Sequence, residues 1–249
     1  MVEITRRVAR LTLQNPPLNV VDLPMMRELQ ASLAAMESRV DVSIIVFEGG
    51  SRAFSAGVDI AAHVPGQVHE MLTSFHAVIR AIVASKKITI AKVEGACLGG
   101  GAELAAVCDM VYTAREAIWG FPEIKLGCYP PVAAVALPAL VGPKRATELI
   151  LTGRQISGEE AVAIGLATRA ARAEELDTLV AGTLAQLAEL SPSALALAKK
   201  SIYAWDAIHF DKGLARAEKI YLEELTATAD AGEGIAAFLE KRPPQWTGK

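Results

Sequence analysis

Three consecutive glycines, Gly99-Gly100-Gly101, stand where an apolar segment passes into a short helical pattern that ends near Cys108. The preceding apolar run, Ile88 to Val93, predicts a buried strand. Glycine lacks a side chain, so a ligand can reach the backbone, and the first N–H groups of a helix have no partner within it. The feature therefore predicts a strand–turn–helix unit that favours negative charge at the turn. Taken alone, the glycines also suit a tight turn that only packs a helix against a sheet.

Strand-like and helical segments alternate along roughly the first half of the chain, as they do in parallel crossover units. After Gly142 the pattern is almost entirely helical and predicts no sheet of its own. We expect an α/β core over residues 1–190 and a helical region over residues 191–249, without a flexible linker. The elements predicted in the first half are an N-terminal hairpin, a helix after Asp22, a strand at Ser43–Phe47, a loop at Glu48–Gly57, a helix over Val68–Ile82, a strand at Ile88–Val93, a glycine-rich turn at Gly95–Gly101, a helix from Gly100, and strands at Met110–Thr113 and Ala117–Phe121. The helices predicted in the second half are Pro143–Leu151, Gly158–Ile164, Ala173–Leu190, Ser193–Trp205 and Asp211–Thr228.

Charge and composition exclude several classes of function. The net charge is −3, so the chain has no overall basic field to hold a nucleic-acid backbone. The first ten residues do not resemble a signal peptide, no segment is long and apolar enough to span a membrane, and we expect a cytoplasmic protein. The three cysteines form no C-x-x-C pair and the four histidines form no H-E-x-x-H motif, which argues against a metal or a disulfide.

Two glutamates accompany the glycine turn. Glu103 lies three residues after Gly100, on the same face of the predicted helix, above the free N–H groups. Glu123 follows a predicted strand and lies among Trp119, Phe121, Pro122 and Ile124, whose apolar surfaces would raise the pKa of its carboxyl group. Together the two glutamates meet the needs of general acid–base catalysis. The simpler alternatives are a solvated Glu103 that stabilises the helix dipole and a Glu123 that pairs with Lys125.

The segment Ala53-Phe54-Ser55-Ala56-Gly57-Val58-Asp59-Ile60 is a second backbone feature. Small residues and Gly57 allow the N–H of Val58 to point into a cavity, where it and Gly100 would form the two donors of an oxyanion hole. Alternatively, the segment is an ordinary loop in which Asp59 caps the following helix. Ser55 as the nucleophile of a serine hydrolase is a remote alternative, since the chain has no G-x-S-x-G motif.

The order and spacing of four motifs resemble the crotonase (enoyl-CoA hydratase/isomerase) superfamily. These motifs are Ala53 to Ile60, Gly95 to Glu103 with Cys108-Asp109, Phe121 to Gly127, and Leu151-Thr152-Gly153, and the resemblance continues through Glu233 to Arg242. The resemblance implies an α/β fold, a spiral of ββα units with a helical C-terminal trimerisation region. It also implies an acyl-CoA thioester substrate, with no separate cofactor because coenzyme A enters as part of the substrate.

The resemblance also implies roles for individual residues. The N–H groups of Val58 and Gly100 would form the oxyanion hole, and the pair Glu103 and Glu123 would favour hydration over isomerisation. The residues expected to contact coenzyme A are Ala56, Asp59 and Ile60 near the adenine, and Phe238 and Lys241, which would close over it from their own or a neighbouring subunit.

One segment departs from common enoyl-CoA hydratases. Tyr129-Pro130-Pro131-Val132 replaces a glycine-containing sequence, so we expect these four residues to form a rigid acyl end of the pocket. The run from Lys125 to Ala133 is most similar to cyclic dienoyl-CoA hydratases of anaerobic aromatic degradation, which implies cyclohexa-1,5-diene-1-carbonyl-CoA as substrate. Ala61 stands where the family often has a lysine, so one expected phosphate contact is absent.

Two other functions remain open at this point, a generic enoyl-CoA hydratase of fatty-acid oxidation and a non-catalytic CoA- or RNA-binding protein of the same fold. Hydrophobic residues make up 52% of the chain, and we expect other subunits to cover part of that surface. The resemblance implies a trimer or a dimer of trimers. A helical stripe, Leu214, Ala217, Ile220, Tyr221 and Leu225, either lies in the subunit contacts or packs against its own domain.

Overall fold

The computed structural model describes residues 1–64, 66–203 and 207–247. Its strands are β1 (Val2–Thr5), β2 (Val8–Thr12), β3 (Ile44–Glu48), β4 (Ala53–Ser55), β5 (Ile88–Val93), β6 (Ala96–Leu98), β7 (Met110–Ala114), β8 (Ile118–Gly120), β9 (Gln155–Ser157) and β10 (Arg169–Ala171). Its α-helices are α1 (Leu23–Ser38), α2 (Val68–Ala84), α3 (Gly100–Ala106), α4 (Pro131–Val141), α5 (Pro143–Thr152), α6 (Gly158–Ala163), α7 (Ala173–Ala188), α8 (Pro192–Tyr203), α9 (Ala207–Lys219) and α10 (Ala229–Leu239).

The strands form two sheets, and from β3 to β8 consecutive strands alternate between them. The order β1-β2-β3-β5-β7-β10 makes one sheet, parallel except for the N-terminal hairpin, and the order β4-β6-β8-β9 makes the other. The pairs β3–β4, β5–β6 and β7–β8 each place one strand in each sheet before the chain enters a helix. This is the spiral of ββα units that the sequence predicts.

The long elements follow directly from apolar patterning. All residues of β5 except Lys92 are buried, as expected for an inner strand of a parallel sheet. The carboxylate of Asp22 accepts a hydrogen bond from the N–H of Met25 and caps α1, and Pro24 lies in the first turn. Helix α2 buries its apolar face with Phe75, Ile79 and their neighbours.

The sequence-based prediction is wrong for four short strands. The predicted loop Glu48–Gly57 contains β4, and the predicted glycine-rich turn contains β6. In the second half, predicted to be almost entirely helical, β9 adds an antiparallel strand beside β8 and β10 a parallel strand beside β7. Each of these strands has three residues, too few to show a period of two, and each is held by a partner strand from elsewhere in the chain.

The C-terminal helices pack on the core. In place of one helix over Asp211–Thr228, α9 is followed by a π-helical turn, Ile220–Glu224, and a 3-10 turn, Leu225–Ala227. Helix α8 starts at Pro192, close to the predicted Ser193, while the predicted end at Trp205 lies outside the described residues. The buried ammonium of Lys199 lies 2.8 Å from the carboxylate of Asp109 and ties α8 to the sheet.

The proposed C-terminal stripe packs against its own chain. Leu214, Ala217 and Tyr221 are buried within the monomer, so the simpler alternative is correct for these residues. Other large apolar side chains are exposed instead, namely Leu190, Leu197, Ile202 and Tyr203, on and just before α8. No helix within the described ranges is long and apolar enough to cross a membrane.

Candidate active site

The N-terminus of α3 faces the loop that follows β4. A methyl group at Gly100 would lie 2.6 Å from Cγ2 of Val58 and 3.4 Å from its backbone nitrogen, and one at Gly57 would lie 3.5 Å from the nitrogen of Gly100. A side chain at Gly100 would therefore collide with that of Val58, and the φ of +110° at Gly57 favours glycine there. Within the described residues, the N–H groups of Val58 and Gly100 donate no hydrogen bond. Two free donors side by side meet the requirement of an oxyanion hole.

The glycines on either side of Gly100 are constrained by different neighbours. Gly99 has a φ of +50°, and a methyl group there would lie 2.7 Å from Oε1 of Glu123. A methyl group at Gly101 would lie 2.6 Å from the carbonyl oxygen of Ser55. The hydroxyl of Ser55 is itself buried and accepts a hydrogen bond from the N–H of Gly57, so this serine supports the loop.

Glu103 is buried on α3, with its carboxylate at the N-terminus of α4. Its Oε1 accepts a hydrogen bond of 2.8 Å from the N–H of Ala133, the third residue of that helix. Burial raises the pKa of Glu103 to about 7, while the N–H groups of Ala133 and Val132 act in the opposite direction by stabilising the carboxylate. Glu103 therefore titrates close to neutral pH.

Glu123 lies on a 3-10 helix, Pro122–Leu126, directly after β8. Its Oε2 is buried and has no hydrogen-bond partner in the part of the chain that the structure describes. Burial raises the pKa of Glu123 well above its ordinary value, and the nearby charge of Glu103 raises it further. No ion pair joins Glu123 to the exposed Lys125 among the described residues.

One cavity of about 70 Å³ is lined by both glutamates, Glu103 and Glu123, and by the two residues that carry the free N–H donors, Val58 and Gly100. Of the residues predicted from the sequence, those lining it are Ala56, Val58, Ile60, Gly100, Glu103, Glu123, Tyr129, Pro130 and Pro131. A larger cavity of about 600 Å³ shares His63, Cys128 and Tyr221 with it and extends along α10.

Four predicted residues line neither of these two cavities. Val132 is fully buried beside the start of α4, and Asp59 caps the 3-10 helix Ile60–His63 by accepting a hydrogen bond from the N–H of Ala61. Phe238 is 49% exposed at the end of α10, and Lys241 is exposed just beyond it. Helix α10 packs with its other face on the 3-10 helix of Glu123.

The sequence analysis missed several residues that the structure places at the site. The backbone N–H of Ala133 holds Glu103, and Phe75, His76 and Tyr221 line the cavity from α2 and from the π-helical turn. His76 carried a recognisable signal, because it stands four residues after Leu72 on the buried face of α2. The role of the Ala133 N–H has no sequence signal, because a backbone donor does not depend on the type of its side chain.

The fold, the two free N–H donors and the pair of buried glutamates match one family of enzymes. The chain belongs to the enoyl-CoA hydratase/isomerase family, whose model matches residues 3–249. Family members act on acyl-CoA thioesters.

Individual relatives agree with this assignment. The chain is 35% identical to the probable enoyl-CoA hydratase echA8 of Mycobacterium tuberculosis, over 99% of this chain and 97% of that one. It is 34% identical to the cyclohexa-1,5-dienecarbonyl-CoA hydratase of Thauera aromatica, over 96% and 93% of the two chains. An enoyl-CoA hydratase structure from Mycobacterium avium subsp. paratuberculosis superposes with a TM-score of 0.90 at 27% identity, covering 99% and 98%. The prediction of an enzyme of the hydro-lyase class is confirmed.

The close approach at Gly100 can be tested by Gly100→Ala. The added methyl group would collide with Val58 and separate the two N–H donors, so we expect kcat for hydration of crotonyl-CoA to fall about 10²-fold or more. Gly182→Ala is the matched control, because a methyl group at Gly182 on α7 meets open space. An unchanged kcat in a folded Gly100→Ala protein would exclude this pair of donors as the oxyanion hole.

Proposed function

We propose that the protein adds water to the carbon–carbon double bond of a conjugated enoyl- or dienoyl-CoA thioester. The observation that carries this proposal is the convergence on one cavity of the buried Glu103, the partly buried Glu123 and two N–H donors that have no partner among the described residues. The N–H groups of Val58 and Gly100 would bind the thioester carbonyl oxygen and stabilise the negative charge that it gains when water attacks. Conjugation passes that charge from the double bond to the oxygen.

The two glutamates differ in a way that assigns their roles. Glu103 accepts hydrogen bonds from the N-terminus of α4, which stabilise its ionised form. Oε2 of Glu123 is buried, and no donor among the described residues would stabilise a negative charge on it. We therefore assign one shared proton to Glu123 in the resting enzyme. Pairs of carboxyl groups whose environments separate their pKa values serve as base and acid.

The reaction then balances. The carboxylate of Glu103 removes a proton from water, and the hydroxide oxygen bonds to the carbon at the far end of the conjugated double bond. The π electrons move to the thioester oxygen, which the oxyanion hole holds. Collapse of this enolate delivers electrons to the α-carbon, which takes the proton of Glu123. Transfer of the proton from Glu103 to Glu123 restores the starting state.

This assignment predicts the pH dependence of hydration. Because Glu103 must be ionised and burial raises its pKa to about 7, kcat should rise as the pH increases through about 7. Glu103→Gln and Glu123→Gln should each lower kcat by about 10²-fold or more, and the double variant should lose far less than the product of the two.

Steady-state assays on crotonyl-CoA between pH 5 and 9 would measure both effects. Glu159→Gln, at an exposed position on α6, is the matched control. A wild-type rate that is flat from pH 5 to 9, or near-normal activity in either single variant, would contradict the paired mechanism.

We further propose that the acyl group is a planar ring, cyclohexa-1,5-diene-1-carbonyl. The cavity is small, and two adjacent prolines fix the start of α4 beside it. The hydroxyl of Tyr129 donates a hydrogen bond of 2.7 Å to the carbonyl oxygen of Ala217, which holds that ring in place. A rigid wall of this kind favours a compact ring over a flexible chain. The relative from Thauera aromatica supports this choice.

A generic enoyl-CoA hydratase is the second candidate, since a relative of that name is equally similar. The two are separated by kcat/KM for the cyclic dienoyl-CoA and for crotonyl-CoA, with identification of the products. We expect the ring to be preferred, and Pro131→Gly to reduce that preference by giving the loop more freedom. A preference for crotonyl-CoA would favour the generic hydratase, and an unchanged ratio in Pro131→Gly would exclude this loop as the selectivity filter.

We also propose that residues 191–249 form the contacts of a trimer or a dimer of trimers. The exposed side chains of Leu197 and Ile202, 64% and 71% exposed, give α8 an apolar surface suited to burial by another subunit. Because Phe238 and Lys241 are exposed and line neither cavity of their own chain, we propose that they contact coenzyme A bound to a neighbour.

Light scattering at micromolar concentration should show a trimer or hexamer, and Ile202→Asp should shift the population towards monomer. Lys241→Ala should raise KM for the CoA thioester while kcat changes little. A fully active monomer would refute the assembly. An oligomer in which Lys241→Ala has a normal KM would refute only the shared site.

A further inference from the structure

His76 is a polar residue in the apolar wall of the catalytic cavity. It lies on α2 beside Met71, Leu72 and Phe75, lines the cavity with them, and has 0% of its surface exposed. The proposed hydration does not use it. A fully buried imidazole at such a position needs a partner for each ring nitrogen, because an unmet polar group in an apolar environment is unfavourable.

The Nδ1 atom of His76 has such a partner on α9. It lies 2.7 Å from Oε1 of Glu218, whose other oxygen lies 2.7 Å from the guanidinium of Arg80. Arg80 also contacts Asp211 through its Nε atom. Hydrogen bonds from Arg80 and His76 hold the pKa of Glu218 below its ordinary value despite partial burial. Glu218 is therefore a carboxylate that can only accept, so Nδ1 carries the proton.

Burial also lowers the pKa of His76, in spite of the carboxylate beside it. The imidazole is then neutral near pH 7, and its single N–H is the one bound to Glu218. The other nitrogen, Nε2, presents a lone pair and acts only as an acceptor. Since Nδ1 points to α9, the ring turns Nε2 away from that helix.

Nε2 is buried and has no hydrogen-bond partner within the described part of the chain. The same is true of two other side-chain atoms there, Oε2 of Glu123 and Oγ of Ser43. Glu123 and His76, which carry two of these three atoms, line the same small cavity. Glu123 is the proposed proton donor to substrate. Nε2 of His76 is an acceptor for which the described part of the chain supplies no donor.

We propose that Nε2 of His76 accepts a hydrogen bond from a hydroxyl group carried by the acyl part of a bound acyl-CoA thioester. A hydroxyl on the acyl group then tightens binding relative to the same thioester without it, including on ring thioesters of the kind proposed above. This inference rests on the proposed function, because it places the acyl group in the cavity of Glu103 and Glu123. Glu218 and Arg80 act as positioning residues that fix the tautomer and the ring.

The test uses thioesters that bind without reacting. Cyclohexanecarboxyl-CoA and its 3- and 4-hydroxy derivatives have neither a conjugated double bond to hydrate nor a β-hydroxyl to eliminate, so calorimetric titration gives Kd without turnover. In the wild type, at least one hydroxylated thioester should bind about fivefold more tightly than the parent, as one added hydrogen bond provides. In His76→Phe that ratio should fall to about one, with the parent bound within about twofold of its wild-type Kd.

His69→Phe is the matched control, because His69 is exposed on the same helix, and it should keep the wild-type ratio. His76→Leu removes the same acceptor should the larger ring of His76→Phe prevent folding. No preference for any hydroxylated thioester in the wild type, or a preference that survives the loss of His76, would overturn the proposal. Hydration of crotonyl-CoA by the wild type tests the proposed function separately, since its absence would leave the binding preference intact.

Discussion

The close contact between the start of α3 and the loop after β4 is the constraint on which the site depends. It brings the N–H groups of Val58 and Gly100 together. It depends on Gly100, where a side chain would collide with that of Val58, and on Gly57, whose φ of +110° favours glycine. The four-stranded sheet sets this contact, because β4 and β6 are parallel neighbours in it and both lead into the site. The backbone therefore forms the proposed oxyanion hole, and glycine is needed at its closest point of contact.

Electrostatics around the two glutamates follow from the same packing. Glu103 is buried, yet the N-terminus of α4 supplies donors for its carboxylate, whereas the buried Oε2 of Glu123 has no donor in the described part of the chain. The N-terminus of α4 thus separates the pKa values of two carboxyl groups of the same chemical type, those of Glu103 and Glu123. The prolines at this start gain a role beyond shaping the acyl pocket, because Pro131 is the first residue of the helix that binds Glu103.

The C-terminal helices complete the cavity from the opposite side. Tyr129 donates to Ala217, His76 contacts Glu218, and Tyr221 lies against the ring of Tyr129 with centroids 5.3 Å apart. Since these contacts join residues far apart in sequence, the acyl end of the site forms only when α9 packs against α2 and α4. The apolar stripe of α9 is thereby used within the monomer, which leaves α8 as the exposed apolar surface.

The sequence by itself determined the order of the long elements, the glycine turn, both glutamates and the family. Each of these depends on local patterning or on motifs several residues long, as with the helix that begins after Asp22. Only the tertiary structure decided the three-residue strands, the hydrogen bond from Ala133 to Glu103, the contact between His76 and Glu218 and the exposed position of Phe238. These features depend on which distant segments meet, and a pattern read along the chain carries no information on the partner that supplies a hydrogen bond or excludes water.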